Sequence, residues 1–386
     1  MISPNQATFA QTDAPAAGAG PTGATAAPPA GVPVDIDALL REAMELDASD
    51  VHLVAGHQPM VRVHTEMTPL EKYPLLSGDQ TMVLVRYMAG EAHLKRFDEF
   101  LDADFSYAVE GLGRYRVNAH MHTHGPGIAM RAIKERIPPL SELNLPEVIE
   151  KLTYLPRGLV LVTGATGSGK STTLAAMIEQ MNQRYHKHII TLEDPIEYAF
   201  KSAKSVIEQR ELGADVPTFA SGLKHALRQD PDIVLVGEMR DLDTTAAAIT
   251  AAETGHLVLS TLHTNGAAST IERIVDMYPG GQQNQIRAQL ANTLQAVISQ
   301  QLFRRVDEPG MVPALEVLVA TPAVRNLIRE SRTFEIPNVI ETNRALGMQL
   351  LDNAITALYF NGMIDKTAAI GKAVNPDKVK RDLDGH

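Results

Sequence analysis

The sequence contains no cysteine and no tryptophan among its 386 residues. Without cysteine it can form neither a disulfide, a tetracysteine zinc site, an iron–sulfur cluster nor a thiol nucleophile. It also lacks a basic N-terminal region, because its first Lys or Arg is Arg41. No apolar run approaches the roughly 18 to 20 residues that are needed to span a bilayer. These absences predict a soluble cytoplasmic protein without a signal peptide.

Positive charge is also scarce. The 35 Lys and Arg are outnumbered by 46 Asp and Glu, which gives a formal net charge of −11. Nucleic-acid affinity comes largely from Lys and Arg that neutralise phosphates, and single strands also need aromatic side chains for stacking. With only nine Phe and nine Tyr, we expect no nucleic-acid partner. A nucleic-acid translocase remains a disfavoured alternative.

The length predicts two or three domains. Residues 1–33 contain ten Ala, six Pro and four Gly, a composition that offers little apolar surface and predicts a disordered tail. We expect a helix-plus-sheet domain over 34–133. A Pro-containing linker follows over 134–146, and a second domain with a C-terminal helical region over 147–386.

Local patterns in the first domain predict one helix and several strands. Asp35 is a candidate N-cap, followed by apolar residues at helical spacing from Ile36 to Met44. Short strands are predicted by the apolar runs and alternations at 49–53, 60–63, 114–121 and 128–133. The glycines of Gly125-Pro126-Gly127 predict the turn before the last of these.

The second domain begins a different pattern, in which continuous apolar runs alternate with helical stretches. The buried strands are predicted at 158–163, 188–192, 233–236 and 256–260. Continuous apolar strands separated by helices indicate an α/β fold whose mainly parallel sheet is covered on both faces. Beyond about residue 285 the sequence predicts mostly helix.

The strongest chemical signal is a glycine-rich segment between a predicted strand and a predicted helix. Its glycines let the backbone fold around a triphosphate, Lys170 adds a cation, and the Ser171 hydroxyl can bind Mg²⁺. This segment predicts an ATP site with Mg²⁺. The segment is Gly164, Ala165, Thr166, Gly167, Ser168, Gly169, Lys170 and Ser171, with Thr172 following.

Acidic and histidine residues follow three other predicted strands. Glu238 comes after the strand at 233–236 and can reach the metal or its water shell. Glu193, Asp194 and Glu197 follow another strand, and one of these carboxylates can orient or deprotonate a water near the γ-phosphate. His263 can donate a hydrogen bond to a γ-phosphate oxygen. The simpler interpretation of the three carboxylates is an ordinary acidic turn, and that of His263 is a structural histidine.

These four elements, in this order and spacing, resemble the Walker A, Asp box, Walker B and His box of the PilT-like secretion ATPases. The resemblance spans roughly residues 34–364. It implies a RecA-like P-loop ATPase core, preceded by a smaller PAS-like N-terminal domain and followed by C-terminal helices. It also implies that the segment Gly164 to Thr172 binds the nucleotide.

A further motif separates members of the family. Residues 323–330 read AVRNLIRE and are similar to the AIRNLIRE signature of the pilus retraction members, with Val324 in place of Ile. Extension and type II secretion ATPases usually carry a tetracysteine module, which this chain lacks. The resemblance therefore implies an ATP-hydrolysing motor for type IV pilus retraction and twitching motility. An accessory, PilU-like retraction ATPase is the alternative, and a type II secretion or pilus extension ATPase is less favoured.

For the mechanism, the resemblance implies a homohexamer in which Glu193 is the general base and Mg²⁺ lies on Ser171 and near Glu238. His263 joins the catalytic set, and Arg114, Arg116 and Arg131 of the N-terminal domain neutralise phosphate charge. The implied partners are an inner-membrane platform protein and, in addition, a paralogous retraction ATPase. The protein would be peripheral to the membrane, on the inner face of the inner membrane at the pilus base.

One stretch departs from the family pattern. His120, His122 and His124 alternate, whereas relatives commonly have an Asn/Gln-rich segment that ends in Arg. On a strand the three imidazoles would share one face and could hold a metal, although a turn would scatter them. His124 also removes any phosphate contact that the family's arginine would make there.

Overall fold

The structure is a computed structural model that describes residues 33–46, 48–63, 66–133 and 136–385. It divides into two compact units, with the boundary between residues 133 and 134. The tail predicted over 1–33 lies, apart from Pro33, outside the described residues.

The first unit consists of one antiparallel sheet and three helices. The sheet has the strand order β3-β2-β1-β6-β5-β4, and each neighbouring pair of strands is antiparallel. The strands are β1 Asp50–Val54, β2 Met60–Val63, β3 Glu66–Pro69, β4 Asp102–Val109, β5 Gly113–His122 and β6 Gly125–Ile133. The helices are α1 Ile36–Glu45, α2 Gly78–Met88 and α3 Glu91–Phe100.

Helix α1 confirms the first predicted helix. The Asp35 side chain accepts a hydrogen bond from the Ala38 N–H and thereby caps the helix. Leu39 and Leu40 are fully buried in the core that the three helices form with one face of the sheet. The spacing of the apolar residues therefore places one face of α1 against the sheet.

Strand β5 shows how the sheet has one apolar and one polar face. Tyr115, Val117 and Ala119 are buried in the helix-covered core, whereas Arg114 and Arg116 lie on the opposite face. The predicted alternation of this strand is confirmed. The turn predicted at Gly125-Pro126-Gly127 is wrong, because these residues belong to β6 and pair with residues 120–122 of β5. The turn instead lies at residues 123–124.

The second unit is built on a mixed sheet of seven strands, with the order β13-β12-β7-β11-β10-β8-β9. All neighbouring strands are parallel except β12 and β13. The strands are β7 Gly158–Thr163, β8 His188–Glu193, β9 Val206–Glu211, β10 Ile233–Val236, β11 Leu257–Leu262, β12 Leu294–Arg304 and β13 Met311–Val319. The expected mainly parallel α/β sheet is confirmed.

Helices cover both faces of this sheet. In β7, Leu159 and Leu161 belong to one apolar cluster, and Val160 and Val162 to a second cluster on the other face. The helices are α4 Glu147–Leu152, α5 Lys170–Arg184, α6 Phe219–Ala226, α7 Leu242–Glu253, α8 Ala267–Asp276, α9 Gln283–Thr293, α10 Pro322–Arg329, α11 Ile336–Thr342, α12 Leu351–Phe360, α13 Lys366–Gly371 and α14 Pro376–Asp384. None of the helices in the described ranges is both long and apolar enough to cross a bilayer.

The prediction of mostly helix beyond residue 285 is wrong in part, because β12 and β13 lie there. The sequence of β12 is LQAVISQQLFR, in which Leu, Gln and Ala favour helices in isolation. Pairing with β7 on one side and β13 on the other determines the extended structure. The C-terminal helices α10–α14 are present as predicted.

The last helices form a small apolar cluster of their own. Phe303 of β12 and Val312 of β13 pack with Leu351 and Ile355 of α12 and with Val379 of α14. The Asp352 carboxylate accepts hydrogen bonds from the N–H groups of residues 374 and 375, which orients the chain that enters α14. This C-terminal cluster is thus attached directly to the two edge-side strands of the sheet.

Candidate active site

The four predicted motifs lie at one edge of the large sheet. Strands β7, β11, β10 and β8 are consecutive neighbours and run parallel. The glycine-rich segment follows β7, His263 follows β11, Glu238 follows β10, and Glu193 ends β8. The carboxyl ends of parallel strands form the crevice in which α/β proteins bind ligands. The fold therefore brings the Walker A, His box, Walker B and Asp box residues together.

The loop after β7 depends on glycine. Gly164, Gly167 and Gly169 have φ values of +141°, +77° and +87°, which residues with a Cβ rarely adopt. A Cβ on Gly164 would also lie 2.3 Å from the Gln300 carbonyl oxygen. Ala165, Thr166 and Gly167 form the exposed tip of the loop, whereas Ser168 is buried. Helix α5 then begins at Lys170 without a side-chain cap, so no side chain occupies its first N–H groups.

Lys170 lies over this loop. Its Nζ donates hydrogen bonds of 2.9 Å to the carbonyl oxygens of both Gly164 and Ala165. Burial lowers the pKa of the Lys170 ammonium, and the carboxylates of Glu238 and Glu197 oppose this shift. The Lys170 ammonium is therefore largely shielded from water, and a phosphate oxygen would interact with it strongly there.

The next two residues lie in the first turn of α5. Ser171 is half-buried, and the Thr172 hydroxyl forms a 2.8 Å hydrogen bond with the Tyr198 hydroxyl. This bond joins the start of α5 to the segment that follows β8. None of the described residues forms a hydrogen bond with the Ser171 hydroxyl, which leaves it available to a ligand.

Glu238 lies between two positive or potentially positive side chains. Its carboxylate is 2.8 Å from Arg240 Nε and 3.2 Å from His263 Nε2, and its side chain is only 15% exposed. The sequence predicted His263 as a phosphate-sensing residue, and the structure places it against the Walker B carboxylate. Arg240 was not predicted, although it follows Glu238 by two residues.

The oxygen donors at this edge fit a magnesium ion. Mg²⁺ prefers hard oxygen ligands, and it usually takes one or two protein oxygens together with substrate phosphates and water. Ser171 offers a hydroxyl in the first turn of α5, and Glu238 offers a carboxylate just after β10, at the same edge of the sheet. The described residues contain no group of three or more metal-ligating side chains, so the phosphates would have to supply the remaining ligands.

Glu193 differs from its two acidic neighbours, because Asp194 and Glu197 are exposed while Glu193 is buried at 9%. The Thr191 hydroxyl and Gln209 Nε2 donate to the same oxygen of Glu193, at 2.6 and 3.0 Å. Burial raises the pKa of the Glu193 carboxyl, although these bonds and the Glu197 N–H oppose the shift. Glu193 is therefore held in a fixed position, and a raised pKa suits a carboxylate that accepts a proton.

Sequence reasoning missed Thr191 and Gln209. They face each other on neighbouring strands, in the β8–β9 register. Gln209 also donates to the Tyr198 carbonyl at 2.8 Å and accepts from the Phe200 N–H at 2.9 Å. Strand β9 itself was not predicted, since its sequence VIEQRE is mostly polar. The Thr191 hydroxyl, two residues before Glu193, was the only nearby feature of the sequence that pointed to this hydrogen-bond network.

The predicted arginines lie on the polar face of the sheet in the first unit. Arg116 and Arg131 are direct cross-strand neighbours, a like-charge pair that needs compensation. Arg131 Nε is 2.7 Å from Asp50 Oδ1, and Arg116 is 3.8 Å from Asp104 Oδ1. Although burial opposes it, the hydrogen bonds from Arg131 and Ser49 hold the pKa of Asp50 below its ordinary value.

Arg114 also belongs to this face and is exposed. No carboxylate of the described residues lies within ion-pair distance of its guanidinium, which sets it apart from Arg116 and Arg131. The three arginines therefore share one sheet face, and at least Arg131 keeps most of its side chain, 70%, accessible.

The three histidines do not form a metal site. His120 and His122 lie on one face of β5, but His124 lies in the turn that follows. The ring centroids are 6.4 Å apart for His120 and His122 and 6.0 Å apart for His122 and His124. The described residues include no metal-ligating group of three, so the metal alternative for these histidines is wrong.

The 323–330 motif forms helix α10. Val324, Leu327 and Ile328 are buried against the large core, as the apolar stripe predicted. Arg325 donates to the carbonyls of Ala291 and Asn292 and to the Gln295 side chain. These carbonyls belong to the last turn of α9, so a guanidinium occupies the negative end of that helix.

Comparisons with known proteins agree with this architecture. The protein family described as "Type II/IV secretion system protein" matches residues 27–321. The chain is 45% identical, over 344 residues, to the type IV pilus retractation ATPase PilT of Pseudomonas aeruginosa, covering 89% of this chain and 99% of the relative. It is 44% identical to a twitching motility protein of Neisseria gonorrhoeae, covering 88% of this chain and 91% of that relative.

A solved structure gives the same result for the fold. The crystal structure of the pilus retraction motor PilT with bound ADP superposes with a TM-score of 0.85 at 42% identity. It covers 90% of this chain and 99% of the solved chain. The likeness therefore includes both units and is not restricted to the nucleotide-binding sheet.

Proposed function

This chain belongs to the family of Type II/IV secretion system proteins, and from that membership we propose that it is an ATP-hydrolysing motor that powers type IV pilus retraction. One observation carries the nucleotide-hydrolysing part of the proposal. The P-loop, His263, Glu238 and Glu193 occupy the carboxyl ends of four consecutive parallel strands. The retraction part is supported by the relatives named for retraction and twitching.

In this proposal the residues Gly164 to Thr172 bind the ATP phosphates through backbone N–H groups, and Lys170 adds a positive charge. Glu193 accepts the proton of the attacking water, for which its buried position and raised pKa are suited. His263, beside Glu238, donates to a phosphate oxygen. Mg²⁺ held by Ser171 and Glu238 would neutralise charge on the phosphate oxygens.

The assembly is also part of the proposal. We expect a homohexamer in which Arg114, Arg116 and Arg131 of one protomer neutralise phosphate charge at the nucleotide of its neighbour when the domains close. The motor would contact an inner-membrane platform protein from the cytoplasmic side, at the pilus base. A paralogous retraction ATPase is a further expected partner. Retraction, rather than extension, is favoured by the motif at 323–330 and by the absence of cysteine.

Deletion of the gene in its own host tests the function. A piliated cell without the protein should carry excess pili and lose twitching, and the wild-type gene should restore both. The Lys170→Ala gene should fail to restore them although the variant folds, because the Lys170 ammonium faces the loop and not the core. Normal retraction in the deletion strain would refute the proposal.

Measurements on the purified protein distinguish the main motor from the accessory alternative. A main motor should hydrolyse ATP as the purified protein, whereas an accessory ATPase should bind nucleotide tightly and show no turnover alone. Measuring both properties on the wild-type chain, with Lys170→Ala as the inactive control, distinguishes the two. Turnover stimulated by DNA and falling steeply with salt would instead support a nucleic-acid translocase.

A further inference from the structure

Gln300 lies on β12, outside every predicted motif, yet its side chain contacts both the glycine-rich P-loop (Gly164 to Ser171) and the start of α5. Its Nε2 donates a 2.7 Å hydrogen bond to the Ser168 carbonyl oxygen, and its Oε1 accepts a 2.9 Å bond from the Thr173 hydroxyl. Gln300 is only 3% exposed, and Ser168 and Thr173 are similarly buried. Both bonds are thus shielded from water, where a lost partner is costly.

The chemistry of the three groups fixes the orientation of the Gln300 amide. A backbone carbonyl can only accept, so the NH₂ group must face Ser168, and the amide oxygen is left for the Thr173 hydroxyl. Thr173 in turn belongs to the first turn of α5, where its N–H donates to the Gly169 carbonyl. One amide therefore ties the loop and the helix start to β12.

The contact also determines where the next N–H of the loop points. In a trans peptide the carbonyl and the N–H point in opposite directions. Because the Ser168 carbonyl is directed at Gln300, the N–H of Gly169 is directed away from β12. A P-loop binds phosphate through such inward N–H groups. Gly169 has a φ of +87° and its neighbour Gly167 has +77°, so the backbone alone allows other directions.

Strand β12 reinforces this arrangement at the base of the loop. The hydroxyls of Thr163 and Ser299 form a 2.7 Å hydrogen bond where β7 and β12 pair. Close approach to β12 also explains two glycines, because a Cβ on Gly164 or Gly169 would lie 2.3 Å or 2.7 Å from atoms of Gln300. The loop is thus fitted against β12 at its two ends, at Gly164 and at Gly169.

We propose that Gln300 is a positioning residue for nucleotide binding, which holds the Ser168–Gly169 peptide so that its N–H faces the phosphates. The inference rests on the proposed ATPase function, and it assigns Gln300 no contact with the nucleotide. Loss of this residue should weaken the binding of ATP and ADP. The step in which Glu193 takes a proton should be changed much less, because that residue lies on the far side of the site, on β8.

The test compares the full-length wild-type chain with Gln300→Met, which keeps the length of the side chain but removes both hydrogen bonds. The dissociation constant for a fluorescent ADP analogue, KM and kcat for ATP hydrolysis, and the melting temperature are measured. We expect the ADP analogue to bind about 5- to 30-fold more weakly, with a matching rise in KM and a change in kcat of no more than about threefold.

Gln283→Ala is the matched control. Gln283 also uses a half-buried amide to reach a loop carbonyl, that of Tyr278 at 3.3 Å, but it lies outside the site. It should lower the melting temperature without changing nucleotide affinity. A Gln300→Met protein that melts earlier but binds the analogue within twofold of wild type would overturn the proposal, since Gln300 would then act only in folding.

Thr173→Val keeps the test decisive if Gln300→Met does not fold. It removes the hydroxyl that orients the amide and should weaken binding by a smaller factor. Where Gln300→Met does fold, the losses of affinity in Gln300→Met and Thr173→Val should not add in the double variant, because both act through one amide. Full additivity, or unchanged affinity in Thr173→Val, would contradict the inference. If Lys170→Ala still abolishes hydrolysis in that case, the ATPase function stands; if the wild-type chain binds no nucleotide, both proposals fall.

Discussion

Glu193 is set apart from the other acids of the site by its burial and by its hydrogen bonds. It is buried, its Oε1 accepts hydrogen bonds from the Thr191 hydroxyl and the Gln209 amide, and burial raises its pKa. Glu238, in contrast, forms ion pairs with Arg240 and His263 through both of its carboxylate oxygens. The two acids thus have different environments, which is why we propose Glu193 as the general base and Glu238 as the metal-binding acid.

Substitution at these two positions tests the assignment. Glu193→Gln should leave ATP bound while kcat falls by about 10²- to 10⁴-fold, because the proton acceptor is lost. Glu238→Gln should instead raise the Mg²⁺ concentration that is needed for half-maximal hydrolysis. Steady-state rates over a magnesium titration check both. The reverse pattern would show that the two roles are exchanged.

The raised pKa of Glu193 also predicts a pH dependence. A general base acts only when it is deprotonated, so the rate should fall on the acid side at a higher pH than an ordinary glutamate, with its pKa of about 4.3, would give. Gln209 stabilises the charged form, so Gln209→Leu should raise the Glu193 pKa further. The acid limb of kcat should then move to higher pH.

A pH profile of kcat measures this shift directly. The control is Gln183→Leu, which removes an exposed amide on α5 that bonds only Glu179, and its profile should match the wild type. An unchanged acid limb in Gln209→Leu would mean that the titrating group is not Glu193.

The site residues that could be predicted are those that lie close in sequence to the strand that positions them. Lys170, Ser171, Glu193, Glu238 and His263 follow strand ends, and each was found from its own neighbourhood. Gln300 and Ser168 are 132 residues apart, and Gln209 reaches Glu193 from a strand whose polar sequence gave no signal. Residues that position others were missed because their partners come from tertiary structure.

Among the secondary-structure elements, buried strands were predicted better than half-exposed ones. The bounds of β7 and β10 match the predicted runs, since every residue in them is buried. Strands β3 and β9 have no buried residues, and β12 contains Gln and Ser within its apolar run. Without a continuous apolar pattern, only pairing with a neighbouring strand makes these segments extended.

Helix α10 gives a prediction at this scale. Arg325 bonds the carbonyls at the end of α9, so Arg325→Ala should remove about 1 to 2 kcal/mol of stability from the α9–α10 pair. Arg329→Ala, which loses one exposed bond to Asn292, is the matched control and should cost far less. Melting temperatures of the two variants, with urea midpoints, provide the comparison. Equal losses would contradict a helix-capping role for Arg325.

For the whole molecule, the proposed hexamer predicts that one protomer completes the site of another. A variant with Arg114→Gln, Arg116→Gln and Arg131→Gln should be inactive, as should Lys170→Ala. Mixed in equal amounts and allowed to exchange subunits, the two should recover up to about a quarter of the wild-type ATPase rate, because some neighbours combine the intact halves.

A second mixture provides the control for this experiment. Lys170 and Glu193 both belong to the second unit, so a working site needs both from one protomer. Mixing Lys170→Ala with Glu193→Gln should therefore restore no activity. Recovery in both mixtures, or in neither while subunits demonstrably exchange, would argue against sites shared between protomers.

The C-terminal cluster has a practical consequence for anyone handling the protein. Val379 of α14 packs with Phe303, and Phe303 is only three residues from Gln300 on the same strand. A purification tag or fluorescent reporter fused directly behind α14 would disturb a helix whose Val379 shares an apolar cluster with Phe303, on the strand beside the glycine-rich loop. Labels for imaging are therefore best attached through a long, flexible spacer, and rates from closely fused versions should be compared with an untagged preparation.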